Sequence, residues 1–391
     1  MFNLSSGELH EKQTIHTASE IYQQPEVWHE TIKMIEREQG RLRGFVKSIF
    51  AKHESVRVIL TGAGTSAFAG NTLVTELNRQ YQGKIKFEAI ATTDIVSNPE
   101  SYLFKDVPTI MVSYARSGNS PESVASVALG EQIIDEFYQV VITCNEEGQL
   151  AQNIQSDDNS ITLLMPKKSN DKSLAMTSSF SSMVLASFAL FSEQPLSENK
   201  VNQSIQNTSV LLDSITDRIE DILTFPFERV IYLGSGLLSE LSREGALKML
   251  ELTAGRVMAM HESSLGFRHG PKSVINKKSV AVLFMSEDPY TRKYDMDILR
   301  ELAADDSGMK VIALTEKSDD TVAALADWVI TVNPEGEDFE NDMYLALQYI
   351  AFAQTFAMKK SLHVGLSPDN PSPDGVINRV VKGVTIYPFE T

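Results

Sequence analysis

The chain has 391 residues, 42% of them apolar, and its 52 acidic against 35 basic side chains give a formal net charge of −17. That acid excess excludes a nucleic-acid or anionic-membrane surface, because phosphate backbones are gripped by clustered Lys and Arg. The apolar content supports a real core and excludes disorder, and at about 100–200 residues per domain the length asks for two domains or more.

The opening MFNLSSGELHEKQ lacks the basic and apolar parts of a signal peptide, and no apolar run approaches the roughly 20 residues of a membrane helix. A soluble, cytoplasmic protein is expected. The single cysteine, Cys144, excludes an intrachain disulfide and a multi-thiolate metal site, and its place after an apolar run reads as a small buried residue.

Over about 8–50, spaced apolar residues such as Ile21, Val27, Ile35 and Leu42 predict helices that bury one face, with Pro25 opening the second. VRVILTG at 56–62 reads as a buried parallel strand, followed by a helix over about 66–80 and strands at 86–90, 109–113, 140–144 and 161–164. Alternating strand and helix signals imply an α/β fold with a parallel sheet covered on both faces. The order then repeats. VIYLG at 230–234 matches VILTG at 58–62 at an offset of about 172, and KVIALT at 310–315 matches QVVITC at 139–144 at about 171. SVAVLFM at 279–285 falls where PTIMVSY at 108–114 places the third strand. The chain thus divides into an N-terminal helical segment (1–50), a first domain (51–195), a connecting helix (196–225), a second domain (226–365) and a C-terminal tail (366–391), with two tandem doubly wound parallel sheets.

In the first half, GAGTSAFAG at 62–70 leads from a strand into a helix, placing Gly64, Thr65 and Ser66 where backbone amides and the positive helix end favour an anion. Gly62, Gly64 and Ala67 also satisfy G-x-G-x-x-A, so a dinucleotide oxidoreductase is an alternative, needing an acidic residue such as Glu88 or Asp94 after the second strand. The hydroxyls at the turn favour a small anion instead. The turn SYARSGNSPES at 113–123 carries Arg116, Ser117, Gly118, Asn119 and Ser120, and SLAMTSSFSS at 173–182 carries Thr177, Ser178 and Ser179. Parallel strands deliver these turns to one sheet edge, where they are expected to surround a phosphomonoester with Arg116 adding one charge. Ordinary caps and turn residues are the alternative for any one of them.

The corresponding turns of the second half, GSGLLS and SEDPYT, are poorer in hydroxyls and more acidic. Its first helix, SREGALKMLELTAG at 242–255, puts Glu244, Lys248 and Glu251 on one face. A solvated face is the default for such spacing, but the apolar residues around it leave little of the helix for solvent. HESSLGFRHGPKSVI at 261–275 reads as an irregular loop with His261, Arg268, His269 and Lys272, and without an i,i+4 His pair no metal site is expected.

Together these motifs resemble the double sugar-isomerase (SIS) domain proteins, most closely the bacterial galactosamine-6-phosphate deaminase/isomerase family, also labelled tagatose-6-phosphate ketose/aldose isomerases. TASEIYQQPEVW, GAGTSAFAG, SYARSGNSPESVA and LGFRHGPKS carry the resemblance across nearly the whole chain, and REGALKMLE and HGPKS also resemble the isomerase half of glucosamine-6-phosphate synthase. The resemblance implies flavodoxin-like domains and a sugar phosphate as the small-molecule partner. It also implies a homodimer or higher homo-oligomer with a shared active site, and no cofactor or metal. It assigns phosphate binding to Ser66, Ser117 and Ser120, proton transfer between C1 and C2 to Glu251, and ring opening to His269, which in related enzymes reaches in from a neighbouring subunit. Lys382, in VVKGVTIYP, matches a lysine at the C1/C2 end of the sugar. Ala115 departs from the synthase pattern SQSGET, where a serine stands, and Arg116 beside it is expected to compensate.

Such chemistry needs one base beside C1 and C2 and an electrostatic partner for the enediolate oxygen, with neither metal nor nicotinamide. With an amine at C2, the same proton transfer yields an imine that water hydrolyses to ketose and ammonia. The expected conversion is galactosamine 6-phosphate to tagatose 6-phosphate and ammonia. Ketose/aldose isomerisation without deamination is one alternative. A non-catalytic sugar-phosphate sensor is another, though it would have no use for Glu251, His269 and Lys382.

Overall fold

The chain begins with three helices, α1 (Ser6–Glu11), α2 (Ile15–Tyr22) and α3 (Gln24–Lys52). Ser5 and Glu8 form a capping box that starts α1, and Pro25 sits in the first turn of α3, where its missing N–H leaves no gap in the helix. A computed structural model describes every residue except Gln82, Ser156, Val380, Lys382 and Thr391.

The first α/β stretch runs β1 (Val56–Thr61), α4 (Thr65–Tyr81), β2 (Ile85–Ala89), α5 (Thr92–Ser97), β3 (Thr109–Ala115), α6 (Pro121–Ile133), β4 (Phe137–Thr143), α7 (Gln149–Gln152), β5 (Ser160–Leu164) and α8 (Ser178–Phe191). After α9 (Glu198–Leu223) the second runs β6 (Arg229–Gly234), α10 (Leu237–Leu252), β7 (Met258–Ser263), β8 (Ser279–Phe284), α11 (Thr291–Ala303), β9 (Lys310–Thr315), α12 (Asp320–Leu325), β10 (Trp328–Thr331) and α13 (Asp342–His363). Each sheet has five parallel strands, ordered β2-β1-β3-β4-β5 and β7-β6-β8-β9-β10. The two orders are the same. Arg57 of β1 pairs with Thr109 and Arg229 of β6 with Ser279, so the repeat extends to the register of the central strands.

The chain folds as two compact units that take it in interleaved pieces. One holds sheet one and comprises Val27–Asp171, Ser178–Pro195 and Gly375–Thr391; the other holds sheet two and comprises Met1–Glu26, Lys172–Thr177 and Leu196–Asp374. Thus α3 and the C-terminal tail fold with sheet one, while α1, α2 and α9 fold with sheet two.

In the first unit β1 and β3 are buried at every residue, as continuous apolar strands in a covered parallel sheet must be. Ile59, Met111 and Val141 pack on Ile95 of α5 and on Val127 and Leu129 of α6. Helix α8 is buried along its whole length, and the Trp28 indole of α3 donates to Ser181 Oγ at 2.8 Å. In the second unit Ile231, Leu283 and Ala313 face Ile298 and Leu299 of α11 and Val322 of α12. Phe284 meets the Tyr232 ring edge-on and the Tyr349 ring at a tilt, with centroids 5.8 and 5.3 Å apart. Among the described residues no helix is long and apolar enough to cross a membrane.

One expectation is corrected. The supposed irregular loop at 261–275 begins inside β7, and only after Ser263 does it break into short 3-10 turns at Gly266–His269 and Pro271–Val274. MAMHES has neither polar alternation nor β-branched residues, and its residues are half-buried or exposed, so this edge strand carries no strand signal.

Gly62 ends the first strand where the chain turns back on itself, and a Cβ there would lie 2.6 Å from the Ser66 carbonyl carbon. Gly44, inside α3, has nothing within 4 Å of a built Cβ. Gly62→Ala is expected to cost about 1–3 kcal/mol through overpacking. Gly44→Ala is expected to gain about 0.5–1 kcal/mol from helix propensity. The shifts of the urea midpoint, in opposite directions, check both.

Candidate active site

In the first unit the strand order reverses between β1 and β3, the switch point at which ligands of open α/β sheets bind. The turn carrying Gly64, Thr65 and Ser66 leaves β1, and the turn carrying Arg116 to Ser120 leaves β3, so the two emerge side by side at the C-terminal edge. Helices α4 and α6 begin there, and their N-terminal amides and dipoles make the edge electropositive without a lysine. Thr65, Ser66 and Arg116 are buried, Ser117 and Ser120 half-buried, and Asn119 exposed.

The second turn is held from behind. Asn145 Nδ2 donates to the Ser117 carbonyl at 2.8 Å, the Leu150 amide to the Gly118 carbonyl at 3.1 Å, and the Gln149 amide to Asn119 Oδ1 at 3.0 Å. Gly148 backs it so closely that a Cβ there would meet the Ser117 carbonyl oxygen at 2.6 Å. Ser120 caps α6 by position, but its hydroxyl makes no cap bond, and Pro121 opens the helix. The β3 turn is therefore a rigid cradle.

Ser178 and Ser179 are placed differently from the sequence reading. Their hydroxyls donate to the Asp171 carboxylate at 2.5 Å each, the Ser179 amide joins at 2.9 Å, and all three residues are buried. These serines hold the start of α8 on Asp171. Nothing in the sequence near Asp171 announces that partnership, which depends on a short 3-10 turn at Lys167–Ser169 bringing the carboxylate back. Cys144 is buried, and that burial pushes its thiol up to about 12, which leaves it unreactive.

In the second unit the switch-point donors are taken by the chain itself. Ser235 Oγ and Ser264 Oγ each donate at 2.6 Å to Asp295 Oδ1, and the Ser286 amide donates at 2.9 Å to Oδ2. Ser286 Oγ and the Glu287 amide donate to the Asp342 carboxylate at 2.6 and 2.9 Å. A crevice built on the same plan thus spends its hydroxyls and amides on two internal carboxylates.

The distinctive feature of this unit lies on α10. Lys248 is fully buried, its Nζ 3.0 Å from Glu244 Oε1 and hydrogen-bonded to Glu251, while Glu244 is fully buried and the Glu251 side chain is 16% exposed. Burial by itself would lower the Lys248 ammonium, but the two carboxylates beside it outweigh this and raise it. The charged face of α10 is thus turned inward, while Leu250 is 41% exposed. Glu251 is the one member of the set open to solvent, and it lies against the Lys248 ammonium.

His269 is exposed at the end of its 3-10 turn, and the neighbouring cations are engaged by α11: Arg268 pairs with Asp297 and Glu301, and Lys272 with Glu301. Lys382 lies outside the described residues. Among the described residues no group of three or more His, Cys, Asp or Glu is placed to hold a metal ion.

Two tests follow from this geometry. Lys248→Met would leave two carboxylates facing each other at a buried site, and is expected to lower stability by about 3–5 kcal/mol in a denaturant titration. Glu287 is pushed up to about 7, first by burial and then by Glu316 and Asp342, against Arg292; burial pushes Asp342 up to about 6. Both carboxyls bind a proton more tightly folded than unfolded. Their contribution to stability is therefore complete below the ordinary carboxylate range and lost as pH rises through about 7. Glu287→Gln is expected to raise the Tm above the parent's at pH 8, with the gap closing toward pH 4.5.

The SIS domain family matches residues 49–192 and 226–358, which contain the two sheets. The chain is 42% identical over 375 residues to the D-galactosamine-6-phosphate deaminase AgaS of Escherichia coli, a match covering 96% of each chain. It is 40% identical over 390 residues to the protein of that name from Shewanella sp. (strain ANA-3), covering 99% of this chain and 95% of the other. The crystal structure of tagatose-6-phosphate ketose/aldose isomerase from Escherichia coli is similar with a TM-score of 0.87 and 40% identity, over 96% of this chain and 97% of that one. With one SIS match on each sheet and relatives of this identity along nearly its full length, the chain belongs to the SIS domain family and, within it, to the family of the AgaS D-galactosamine-6-phosphate deaminases.

Proposed function

We propose that the protein is an amino-sugar-phosphate deaminase that converts D-galactosamine 6-phosphate to D-tagatose 6-phosphate and ammonia. The observation that carries this reading is the inward-facing set on α10, a buried Lys248 between Glu244 and Glu251 with only Glu251 reaching solvent. A carboxylate held by an ammonium at the solvent-facing rim of a buried charge network is placed to take a proton from carbon and return it.

The phosphate would be held at the β1 and β3 turns by Ser66, Ser117 and Ser120, with the backbone of Gly64, Thr65, Gly118 and Asn119 and the N-termini of α4 and α6 supplying further donors. His269 would open the pyranose ring and Lys382 would stabilise charge at the C1/C2 end. In the open-chain aldose Glu251 removes the C2 proton as O1 takes up a proton, giving an enolamine, and then delivers the C2 proton to C1 as the nitrogen gives up one of its own, leaving a C1 hydroxyl and a C2 imine. Water adds to that imine and ammonia leaves, so one acid–base carboxylate serves a reaction whose second half is hydrolysis. The exposure of His269 suits a homodimer or higher homo-oligomer in which this residue serves a neighbouring copy, and the single buried cysteine suits the reducing cytoplasm.

Ammonia release across a panel of hexosamine 6-phosphates tests the reading. Galactosamine 6-phosphate is expected to be the preferred substrate, and Glu251→Gln to lose about 10²–10⁴-fold in kcat with sugar-phosphate binding retained. Interconversion of tagatose 6-phosphate with its aldose, without ammonia from any amino sugar, would instead establish an isomerase. An undiminished Glu251→Gln variant would remove the proton-transfer assignment.

A further inference from the structure

The Ser117 and Gly118 carbonyls of the β3 turn are both claimed from the side of β4, by the Asn145 side chain and the Leu150 amide. Asn145 is itself fixed in the turn that leaves β4. Its amide donates to Thr143 Oγ1, its Oδ1 accepts from the Glu147 amide and its carbonyl accepts from the Gly148 amide, each at 3.2 Å. That leaves Nδ2 to reach across to the Ser117 carbonyl at 2.8 Å. One peptide unit joins this carbonyl to the Gly118 amide, and in a planar trans peptide C=O and N–H point in opposite directions. A carbonyl fixed toward β4 therefore aims the Gly118 N–H toward β1, since β3 lies between those two strands. Among the described residues that N–H meets no acceptor. The neighbouring Arg116 is engaged elsewhere, its Nη2 donating at 2.9 Å to the Arg379 carbonyl. All these groups fold within the unit of sheet one.

We propose that Asn145 is a positioning residue for the phosphate: its bond to the Ser117 carbonyl sets the Ser117–Gly118 peptide so that the Gly118 N–H faces the anion. This role rests on the reading of the β3 turn as the phosphate site. A peptide plane free to rotate would present its carbonyl oxygen to the anion as readily as its amide, and the carbonyl repels phosphate. Holding the plane in advance removes that ordering cost from binding. Gly118 takes the left-handed φ of +69°, and a Cβ there would meet Gly148 Cα at 3.1 Å, so the turn fits closely against the β4 turn that holds it. Asn145 stands on the far side of the peptide from the anion, and its effect passes through that peptide alone.

The test uses the full chain, with inorganic phosphate as the probe and calorimetric titration for affinity. In Asn145→Ala phosphate is expected to bind about three- to tenfold more weakly, the scale of one hydrogen bond. Asn145→Asp keeps the size and the acceptor for the Glu147 amide but turns a carboxylate oxygen toward the Ser117 carbonyl. It is expected to lose more, and to stay impaired in high salt, where charge repulsion is screened. With galactosamine 6-phosphate both variants are expected to raise KM and leave kcat within about twofold, whereas a variant that is merely less stable loses kcat at unchanged KM. Ser117→Ala marks the site. Weaker phosphate binding in Ser117→Ala with parental binding in Asn145→Ala overturns the positioning role and leaves the phosphate-site reading standing. Parental binding in both, or no phosphate binding by the parent protein, overturns that reading and the positioning role with it. A loss confined to Asn145→Asp and abolished by salt also overturns the role, because charge and not the hydrogen bond would be responsible. Asn145→Ser takes the place of the alanine variant should that one fail to fold.

Discussion

A parallel sheet covered on both faces leaves its polar chemistry only the ends of its strands, and both halves of this chain are built under that constraint. Along β1 and β3 every side chain is buried, so the exposed polar groups of this edge stand where those strands stop and α4 and α6 begin. The reversal of strand order there opens a crevice, and the helix N-termini point into it. Close backbone approaches, such as Gly148 behind Ser117, keep the cradle from collapsing or spreading.

The same plan is executed twice with opposite outcomes. In the first unit the β3 turn is braced from behind by Asn145 and Gln149. In the second, Asp295 and Asp342 draw in the equivalent hydroxyls and amides. What distinguishes the second unit is α10, where an ammonium and two carboxylates are turned inward beside the buried Leu238, Leu241, Met249 and Leu252. Such burial is costly for each charge alone and tolerable only for the set, which ties Glu251 to a fixed position.

The α/β class, the duplication and the central strands were legible because buried parallel strands write themselves as continuous apolar runs. VRVILT, TIMVSYA and SVAVLF need no partner to be recognised. The edge strand β7 was not legible, since a half-exposed strand need not be apolar and MAMHES is not. Turn chemistry was legible as residue type alone. Ser117 and Ser178 look alike in the sequence, yet one lies in a braced turn and the other is committed to Asp171.

The sequence by itself determined the fold class, the tandem repeat, the hydroxyl-rich turns and the helical spacing of Glu244, Lys248 and Glu251, because each is a local pattern of residue type and period. Tertiary structure alone decided that this charged stripe faces inward, that Ser178 and Ser179 hold Asp171, that the second crevice fills itself, and that Arg116 reaches across to Arg379. Each of those outcomes depends on which distant group arrives opposite a donor or a charge. Hydrogen bonds and ion pairs are short-ranged and directional, so their partners exist only once the chain has folded.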